Sequence, residues 1–409
     1  MRVVISGMGV ISALGLDQQG FWHSLVNGQS GIGPIPHDVG PVAEMGMNQV
    51  RFKNGAAVIG YNAEAYFPRK AASFMDRFAQ FSVVAAREAV TSAGIEWTEE
   101  LRDNTAIITG SCMGGRFTDE VGYWELFHHG RHRVHPLTIP LGMSNAGASH
   151  ISMEYGLHGP AYTFSTACSS SAHAIGNAYW MVRSGAVPLA IAGGSETPFF
   201  LGGLKAWEAM RVVSPDTCRP FSANRSGMVL GEGAAMLVLE PLEHALARGA
   251  RPLAEIIGFG MSADACHVTQ PSAEGAARAI RAAMRDGGLA PEQVGYINAH
   301  GTATEANDRM ESAAIHAVFG SHADTLPVSS TKSMHGHTLG AAGAIEAAAT
   351  VLALRNGVLP PTMNYTHPDP ECELDVIPNQ ARTKQAEAAL SQSFAFGGLN
   401  AVLAFRAIP

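Results

Sequence analysis

Cysteine and charge are scarce in this 409-residue sequence, and long apolar runs are missing. Five cysteines without a Cys-x-x-Cys pair or a tight cluster exclude a disulfide framework and a zinc ribbon, and they favour a reducing compartment. Charged residues make up only 15%, and the net charge of −8 argues against a general nucleic-acid-binding protein. The longest apolar helix candidate, residues 339–354, contains Glu346 and is too short to cross a bilayer. The first apolar run breaks at Gly7, before the core of a signal peptide could form, so we expect a cytoplasmic protein.

The sequence is rich instead in apolar strands that alternate with helical segments. Hydrophobic residues make up 46%, which is typical of a compact globular enzyme. Strands are predicted at residues 2–6, 105–109, 162–164, 188–192, 234–239, 294–298 and 326–330, and at the start of 252–261. Helices are predicted at residues 75–93, 170–183, 240–249, 272–287, 307–319 and 339–356. This alternation predicts a layered α/β fold with largely parallel sheets covered on both faces.

Residues 252–261 restart the pattern of residues 1–9, with an apolar strand followed by two glycines spaced by one residue. We therefore expect an internal duplication, with one half at residues 1–250 and the other at 251–409. The first glycine pair, Gly7 and Gly9, also follows the strand as in a dinucleotide-binding turn. Ser12 stands where the third glycine of that motif would be, which disfavours a nucleotide cofactor.

Cys168 falls in the predicted turn between a strand and a helix. Backbone N–H groups at the start of a helix favour the thiolate form of a nearby cysteine. The same groups would stabilise an oxygen that becomes negative when the sulfur attacks a thioester. The alternative is an inert cysteine packed under the helix.

Four turns that each follow a predicted strand carry the reactive side chains. They contain Cys168, His300, Lys332 with His337, and the segment 394–400. Since sites in α/β sheets gather at the carboxyl ends of strands, we expect these turns to meet in one pocket. Two neutral imidazole Nε2–H groups would stabilise an enolate while a carboxylate leaves as carbon dioxide. The predicted chemistry is acyl transfer to sulfur followed by carbon–carbon bond formation.

Each of these residues also has a simpler interpretation. Lys332 would hold a nitrogen of His337 or pair with Glu346, or it is an ordinary ion-pair lysine. The His335–His337 pair could bind a metal, but acidic or thiol ligands are missing nearby, so no metal is expected. The glycines at 397–398 could form a plain hairpin turn. Four further histidines are expected in a solvated loop: His128, His129, His132 and His135.

Four motifs, taken together, resemble those of the elongating β-ketoacyl-acyl-carrier-protein synthases. They are Thr166-Ala-Cys168-Ser-Ser, Asn298-Ala-His300-Gly-Thr, Ser330-Thr-Lys332-Ser-Met-x-Gly-His337-x-Leu-Gly-Ala-Ala-Gly343 and Phe394-x-Phe396-Gly-Gly-x-Asn400. The likeness runs from residue 1 to residue 406, with the motifs in the family's order. It implies the thiolase fold, a duplicated five-layer α/β/α/β/α sandwich, and a dimer.

The resemblance also implies a role for each residue. Cys168 would be the nucleophile, His300 and His337 the decarboxylation pair, and Lys332 the group that organises His337. Backbone N–H groups of Cys168 and Phe396 would form the oxyanion hole, with Phe396 gating malonyl entry. The other implied residues are the supporting Asp308, Glu346, Thr302 and Thr304, the acyl-pocket residues Met113 and Leu204, and the carrier-docking candidates Arg69, Lys70, Arg131, Arg133 and Lys205.

The sequence departs from the family's motifs at three positions. His335 stands where Thr is usual, and Ala395 and Leu399 replace Gly and Thr in the gating loop. Ala395 should narrow the backbone freedom of that loop. The stretch 204–222, together with 332–337, is more similar to nodulation-type and polyene-type ketosynthases than to housekeeping enzymes.

The implied activity is 3-oxoacyl-[acyl-carrier-protein] synthesis, in which an acyl chain on Cys168 condenses with malonyl carrier protein. No metal or organic cofactor is expected, since the substrates arrive on phosphopantetheine. A degradative thiolase would need a second reactive cysteine in a glycine-rich turn, and Cys372 lies in Asp-Pro-Glu-Cys-Glu instead. A non-catalytic chain-length subunit would lack Cys168. The expected partners are an acyl carrier protein and a second copy, or a chain-length-factor homologue on which a specialised ketosynthase depends; no nucleic acid or membrane is expected.

Overall fold

Strands and helices alternate in a computed structural model that describes residues 1–36, 43–44, 46 and 49–408. The strands are β1 (Val3–Ser12), β2 (Gly33–Pro34), β3 (Asn54–Gly55), β4 (Ala106–Gly110), β5 (Ala161–Phe164), β6 (Ala190–Glu196), β7 (Gly233–Pro241), β8 (Ala254–Ala263), β9 (Val294–Asn298), β10 (Pro327–Ser329), β11 (Val358–Leu359), β12 (Asp375–Val376), β13 (Arg382–Thr383), β14 (Ala388–Ala395) and β15 (Leu399–Arg406).

The α-helices of the described chain are α1 (Gln18–Val26), α2 (Ala63–Tyr66), α3 (Arg69–Ala72), α4 (Arg77–Ala93), α5 (Glu99–Asn104), α6 (Arg116–Phe127), α7 (Thr138–Gly142), α8 (Ala146–Tyr155), α9 (Ser170–Arg183), α10 (Leu201–Met210), α11 (Leu242–Ala247), α12 (Ala273–Asp286), α13 (Glu305–Phe319), α14 (Lys332–His335) and α15 (Ala342–Asn356). The longer predicted helices agree with these bounds to within a few residues. Short 3₁₀ turns lie at Pro291–Gln293, Gly320–Thr325 and Leu339–Ala341. No described helix combines the length and the hydropathy that crossing a bilayer requires.

The strand order repeats between the two halves of the chain. Outward from the contact between β1 and β8, one half runs β1-β7-β6-β4-β5 and the other runs β8-β15-β14-β9-β10, with β12 at the edge. In each half the first strand pairs with the last, and the last pairs with the strand before it. This repetition confirms the internal duplication; the exact division after residue 250 stays a prediction.

The sheet is mixed, so the expectation of largely parallel sheets was wrong. β7 is antiparallel to both β1 and β6, and β15 is antiparallel to both β8 and β14. The pairs β6/β4, β4/β5, β14/β9 and β9/β10 are parallel. The reason is clearest at β14 and β15, because only three residues join them and so short a connection permits only a hairpin.

Helices cover the sheet in three layers. α4 packs on β1 and β7, with α8 against it, and α12 packs on β8 and β15, with α13 against it. Between the two halves, α9 and α15 form a middle layer. They approach through small side chains: the Ala344 N–H donates to Ser171 Oγ at 2.9 Å, and a Cβ on Gly343 would collide with Ala172. Three buried apolar clusters fill the spaces between these layers. The predicted α/β/α/β/α sandwich, the thiolase fold, is confirmed.

The repeated glycine pairs lie inside strands and not in turns. β1 continues through Gly7 and Gly9, and β8 continues through Gly258 and Gly260. A Cβ at any of the four would overlap a backbone carbonyl oxygen of the helix that covers the strand. The predicted break at Gly7 was therefore wrong, because these glycines let α4 and α12 approach the sheet closely.

Candidate active site

Cys168 lies in the turn between β5 and α9, as predicted, and its residue is 7% exposed. The preceding residue, Ala167, has φ +49°, a conformation that costs energy for a residue with a Cβ. Two serines hold the turn. Ser170 Oγ accepts the Thr166 N–H at 2.9 Å, and Ser169 Oγ donates to the Thr166 carbonyl at 2.8 Å. The sulfur is therefore placed by a rigid turn at the start of a helix.

The four predicted turns meet at one cavity of about 380 Å³. Among its lining residues are Cys168, His300, Thr302, Thr304, His337 and Phe396. The nucleophile comes from the first half of the chain, and the imidazoles and Phe396 come from the second half. The predicted convergence of the turns is thus confirmed as geometry.

The prediction that the turn favours the thiolate form of Cys168 was wrong. Burial raises its pKa to about 11, although Lys332 and the backbone N–H groups of Phe396 and Cys168 pull the pKa down. Phe396 lines the same cavity as Cys168. At neutral pH the cysteine is therefore protonated in this structure, because burial outweighs the helix terminus.

The two cavity histidines are held in the same neutral tautomer. Their ring centroids are 5.3 Å apart and the ring planes are nearly perpendicular. The Leu339 N–H donates to His337 Nδ1 at 3.2 Å, and Lys332 Nζ donates to His300 Nδ1 at 3.3 Å. Because each Nδ1 accepts a hydrogen bond, the proton of each neutral ring lies on Nε2. Burial, with Lys332 second, lowers the pKa of both histidines well below the usual value.

The hydrogen bonds of Lys332 go to His300 and not to His337, which corrects the partner implied by the resemblance. Its Nζ donates to the His300 carbonyl at 2.6 Å as well as to the ring. It also forms a fully buried ion pair with Glu346, which confirms the ion-pair interpretation. Burial raises the pKa of Glu346 to about 7 against the attraction of Lys332.

The sequence analysis did not identify Glu311, although this residue holds the turn that carries His300. Its carboxylate accepts the N–H groups of His300 and Gly301, each at 2.7 Å. The signal was available, because Glu311 follows Asp308 by three residues and so lies on the same face of α13. Asp308 itself accepts the Phe221 N–H at 2.8 Å and does not line the cavity.

Phe396 lies at the tip of the hairpin between β14 and β15. The hairpin interpretation of the two glycines is correct, with φ of +84° at Gly397 and +70° at Gly398. The Gly397 N–H donates to the Val268 carbonyl at 2.7 Å, and the ring of Phe396 is stacked on Trp207 with centroids 6.2 Å apart. Ala395 is the last residue of β14 and pairs with Leu399, so it has an ordinary extended backbone.

The other predicted residues lie around this cavity or on the surface. Met113 and Leu204 pack in one apolar cluster beside the cavity and do not line it. The exposed docking candidates are Arg69 and Lys70 on α3, Arg131, which pairs with Glu125, Arg133, and Lys205, which pairs with Glu208. The solvated loop is confirmed, because the following histidines are exposed: His128, His129, His132 and His135.

His335 is fully buried, and both of its ring nitrogens form hydrogen bonds within the protein. Its Nε2 accepts the Thr331 hydroxyl at 2.9 Å, and its Nδ1–H donates to the Gly336 carbonyl at 2.8 Å. Burial lowers its pKa to about 3. Within the described ranges, no three His, Cys, Asp or Glu side chains are grouped as metal ligands would be.

A cavity thiol at the start of a helix, beside two neutral imidazoles on the thiolase fold, defines a condensing acyltransferase. Residues 1–245 match the N-terminal domain of β-ketoacyl synthases, and residues 253–366 match the C-terminal domain. The chain therefore belongs to the β-ketoacyl synthase family.

Individual relatives agree over the full length. Nodulation protein E of Rhizobium sp. (strain N33) is 47% identical over 100% of this chain and 99% of its own length. The 3-oxoacyl-[acyl-carrier-protein] synthase 2 of Synechocystis is 41% identical over 99% of this chain and 98% of its own. The solved ishigamide ketosynthase/chain length factor has a TM-score of 0.93 and 34% identity, over 100% of this chain and 99% of that one. The predicted similarity to nodulation-type ketosynthases is confirmed.

Proposed function

We propose that this protein is a 3-oxoacyl-[acyl-carrier-protein] synthase that elongates an acyl chain with malonyl carrier protein. The observation that carries the proposal is the cavity in which the Cys168 thiol lies with two neutral imidazoles whose Nε2–H groups are free to donate. A protease-type pair would need an imidazole nitrogen free to accept the thiol proton. Here Nδ1 is occupied in both rings, which favours stabilisation of a negative oxygen over proton abstraction.

In the first half-reaction the sulfur of Cys168 attacks the carbonyl carbon of an acyl thioester. A carbon–sulfur bond forms to Cys168, the bond to the carrier's sulfur breaks, and the thiol proton passes to that leaving sulfur. The backbone N–H groups of Cys168 and Phe396 are proposed to stabilise the intermediate oxyanion. Both residues line the cavity, and their N–H groups lower the pKa of the thiol, which supports this role.

In the second half-reaction malonyl carrier loses its carboxylate as carbon dioxide. The electron pair of the broken bond forms an enolate, whose oxygen would accept hydrogen bonds from His300 and His337. The enolate carbon then attacks the acyl group on Cys168. A carbon–carbon bond forms, the carbon–sulfur bond breaks, and the thiolate of Cys168 takes up a proton.

The residues around the reacting atoms are proposed to hold substrate and scaffold. Lys332, with Glu346, keeps His300 in the required tautomer. Thr302 and Thr304, whose hydroxyl oxygens are 2.8 Å apart in the cavity, are suited to a polar phosphopantetheine arm. Asp308 would support the backbone beneath them.

Two surfaces and a location complete the proposal. The acyl chain would extend toward Met113 and Leu204. The carrier protein would dock on a basic patch formed from Arg69, Lys70, Arg131, Arg133 and Lys205. The halves 1–250 and 251–409 would each supply part of the site. We also propose a cytoplasmic location, because the five cysteines are unpaired.

A second candidate is a ketosynthase subunit that works only with a chain-length-factor partner. The similarity to a ketosynthase/chain length factor structure favours this possibility. The free edge strand β5 supports pairing with another chain, because Tyr162 on it is 39% exposed. Size measurement of the purified protein alone, and then with candidate partners, separates a self-sufficient homodimer from a heterodimer.

The roles of the thiol and of His337 can be tested separately. Cys168→Ala should abolish acyl-enzyme formation in intact-mass measurements. His337→Ala should leave acylation measurable and suppress carbon dioxide release from malonyl carrier. Suitable controls are Cys218→Ala, a buried cysteine outside the cavity, and His322→Ala, a partly buried histidine outside it. Equal loss of both half-reactions in His337→Ala would contradict the assigned roles.

A further inference from the structure

Glu196 is a fully buried carboxylate at the end of β6 to which the mechanism above gives no role. It accepts four hydrogen bonds. The Ser111 hydroxyl donates to Oε1 at 3.0 Å and the Met113 N–H at 3.2 Å. The Cys112 N–H donates to Oε2 at 2.8 Å and the Gly340 N–H at 3.1 Å. One side chain thus joins the turn after β4 to the segment that follows His337.

The segment joined in this way is the one that fixes the tautomer of His337. Leu339, whose N–H donates to His337 Nδ1, precedes Gly340 directly. Leu339 has φ +47°, a conformation that a residue with a Cβ keeps only when its surroundings hold it. The bond from Gly340 to Glu196 is such a restraint, one residue from the strained position.

Gly340 lies so close to the Glu196 carboxylate that a residue with a side chain would not fit at this position. A Cβ there would collide with Glu196 Oε2 and lie 2.5 Å from the Cys112 nitrogen. The segment therefore packs directly on the carboxylate, with no side chain between them. A change at Glu196 is transmitted to the backbone beside His337 without an intermediate.

We infer that Glu196 is a positioning residue for His337, acting through the backbone of Leu339 and Gly340. It keeps the Leu339 N–H on Nδ1 and the ring proton on Nε2, facing the cavity. This inference rests on the proposed function, because it needs His337 to act in malonyl decarboxylation.

Glu196 also affects the nucleophile, and in the opposite sense. Its negative charge contributes to the raised pKa of Cys168. Loss of that charge should make the thiol easier to ionise, whereas loss of the bond to Gly340 should misplace His337. Opposite changes in the two half-reactions would distinguish positioning from general damage to the fold.

Glu196→Gln tests this directly, because glutamine keeps the shape but turns one acceptor into a donor that faces backbone N–H groups. We expect kcat for malonyl decarboxylation to fall about 10- to 100-fold, as for other small displacements of a reacting group. KM for malonyl carrier should stay nearly constant. Alkylation of Cys168 by iodoacetamide should shift to lower pH, and acylation of Cys168 should not slow.

The matched control is Glu88→Gln. That carboxylate also holds two backbone N–H groups, those of Val10 at 2.8 Å and Gln18 at 2.7 Å, and lies outside the cavity. It should change neither half-reaction. Equal slowing of both half-reactions by Glu196→Gln, or slowing of neither, would overturn the inference.

If Glu196→Gln does not fold, Glu196→Asp keeps both acceptor oxygens but withdraws them by one methylene. In ¹⁵N spectra the His337 ring should then show a mixture of tautomers, and an unchanged single Nε2–H tautomer would overturn the inference. His337→Ala distinguishes a failure of the proposed function from a failure of the inference about Glu196. If that variant decarboxylates malonyl carrier normally, the proposed function fails, whereas a loss there without a loss in the Glu196 variants defeats the inference alone.

Discussion

Replacing Lys332 by methionine should uncouple the stability of the protein from its chemistry. Lys332 is fully buried and has three contacts, to Glu346 and to the ring and the carbonyl of His300. Methionine fills a similar volume and removes all three. The change leaves the Glu346 carboxylate buried without its cation, and Glu346 Oε2 already has no hydrogen-bond partner.

The size of the effect follows from that uncompensated charge. Breaking a buried ion pair by removing one partner costs about 3–5 kcal/mol of unfolding free energy. Without Lys332, the pKa of Glu346 should rise further, and the folded variant should take up a proton there. The destabilisation of Lys332→Met should therefore be smaller at pH 5.5 than at pH 8.

The assay is a double-mutant cycle followed in two ways. Denaturant unfolding should show Lys332→Met/Glu346→Gln to be more stable than Lys332→Met alone, because no buried charge is left unpaired. Malonyl decarboxylation should stay low in both, because His300 Nδ1 has lost its donor. Lys205→Met, which removes an exposed lysine paired with Glu208, is the control and should barely alter stability.

Two results would refute this reasoning. If the stability losses of the single variants add to that of the double within about 0.5 kcal/mol, the pair is not coupled. If decarboxylation returns in the double variant, Lys332 does not act through His300.

The remaining predictions concern stability and the gate. Burial raises the pKa of Asp308 from its ordinary 3.8 to about 6, so the folded protein holds a proton that the unfolded chain loses. Relative to Asp308→Asn, the wild type should therefore lose about 3 kcal/mol of unfolding free energy as pH rises from about 4 to about 6, at 1.36 kcal/mol per unit; a gain in denaturation experiments would refute this. Trp207→Ala should free the Phe396 ring and slow decarboxylation about two- to tenfold, the range expected for one aromatic pair, with Trp207→Phe retaining most of the rate; equal rates in steady-state assays would count against the contact. Ala395→Gly should lower stability by about 0.5–1 kcal/mol without faster turnover, because Ala395 is an ordinary strand residue; faster turnover would show that this position limits the gate.

The meeting of the reactive turns could be predicted from the sequence because the physics is local at each turn. Three of the four turns follow β14, β9 and β10, which are parallel to one another and so bring their carboxyl ends to one edge of the sheet. Cys168 follows β5 in the other half, which runs in the opposite direction, so its approach to these turns depends on the packing of the two halves through α9 and α15. The register confirms the argument, since Ser329 pairs with Asn298 and so the turns that carry Lys332 and His300 begin side by side.

The partner of Lys332 could not be predicted from spacing along the chain. Lys332 is five residues from His337, which suggested that the two interact. Instead, the helical turn α14 directs the lysine toward the neighbouring strand β9 and the turn with His300. Contacts of this kind depend on strand order, which the local sequence does not contain.

The prediction that Cys168 is a thiolate was wrong for a similar reason. The sequence correctly placed Cys168 at the start of α9, where the backbone favours a thiolate. Its pKa is set mainly by burial in the cavity, whose wall includes turns more than a hundred residues away in the chain. The glycine pair at Gly7 and Gly9 was misread likewise, because the helix that approaches it begins only at Arg77.

The close contact between α9 and α15 limits the distance between the two parts of the site that these helices carry. Ser171 and Ala344 touch through a hydrogen bond, and Gly343 leaves no room for a larger residue beside Ala172. Cys168 lies directly before α9 and His337 lies shortly before α15, so this contact restricts how far apart the two residues can lie. A bulkier residue in the middle layer would push α9 away from α15 and so separate the nucleophile from His337.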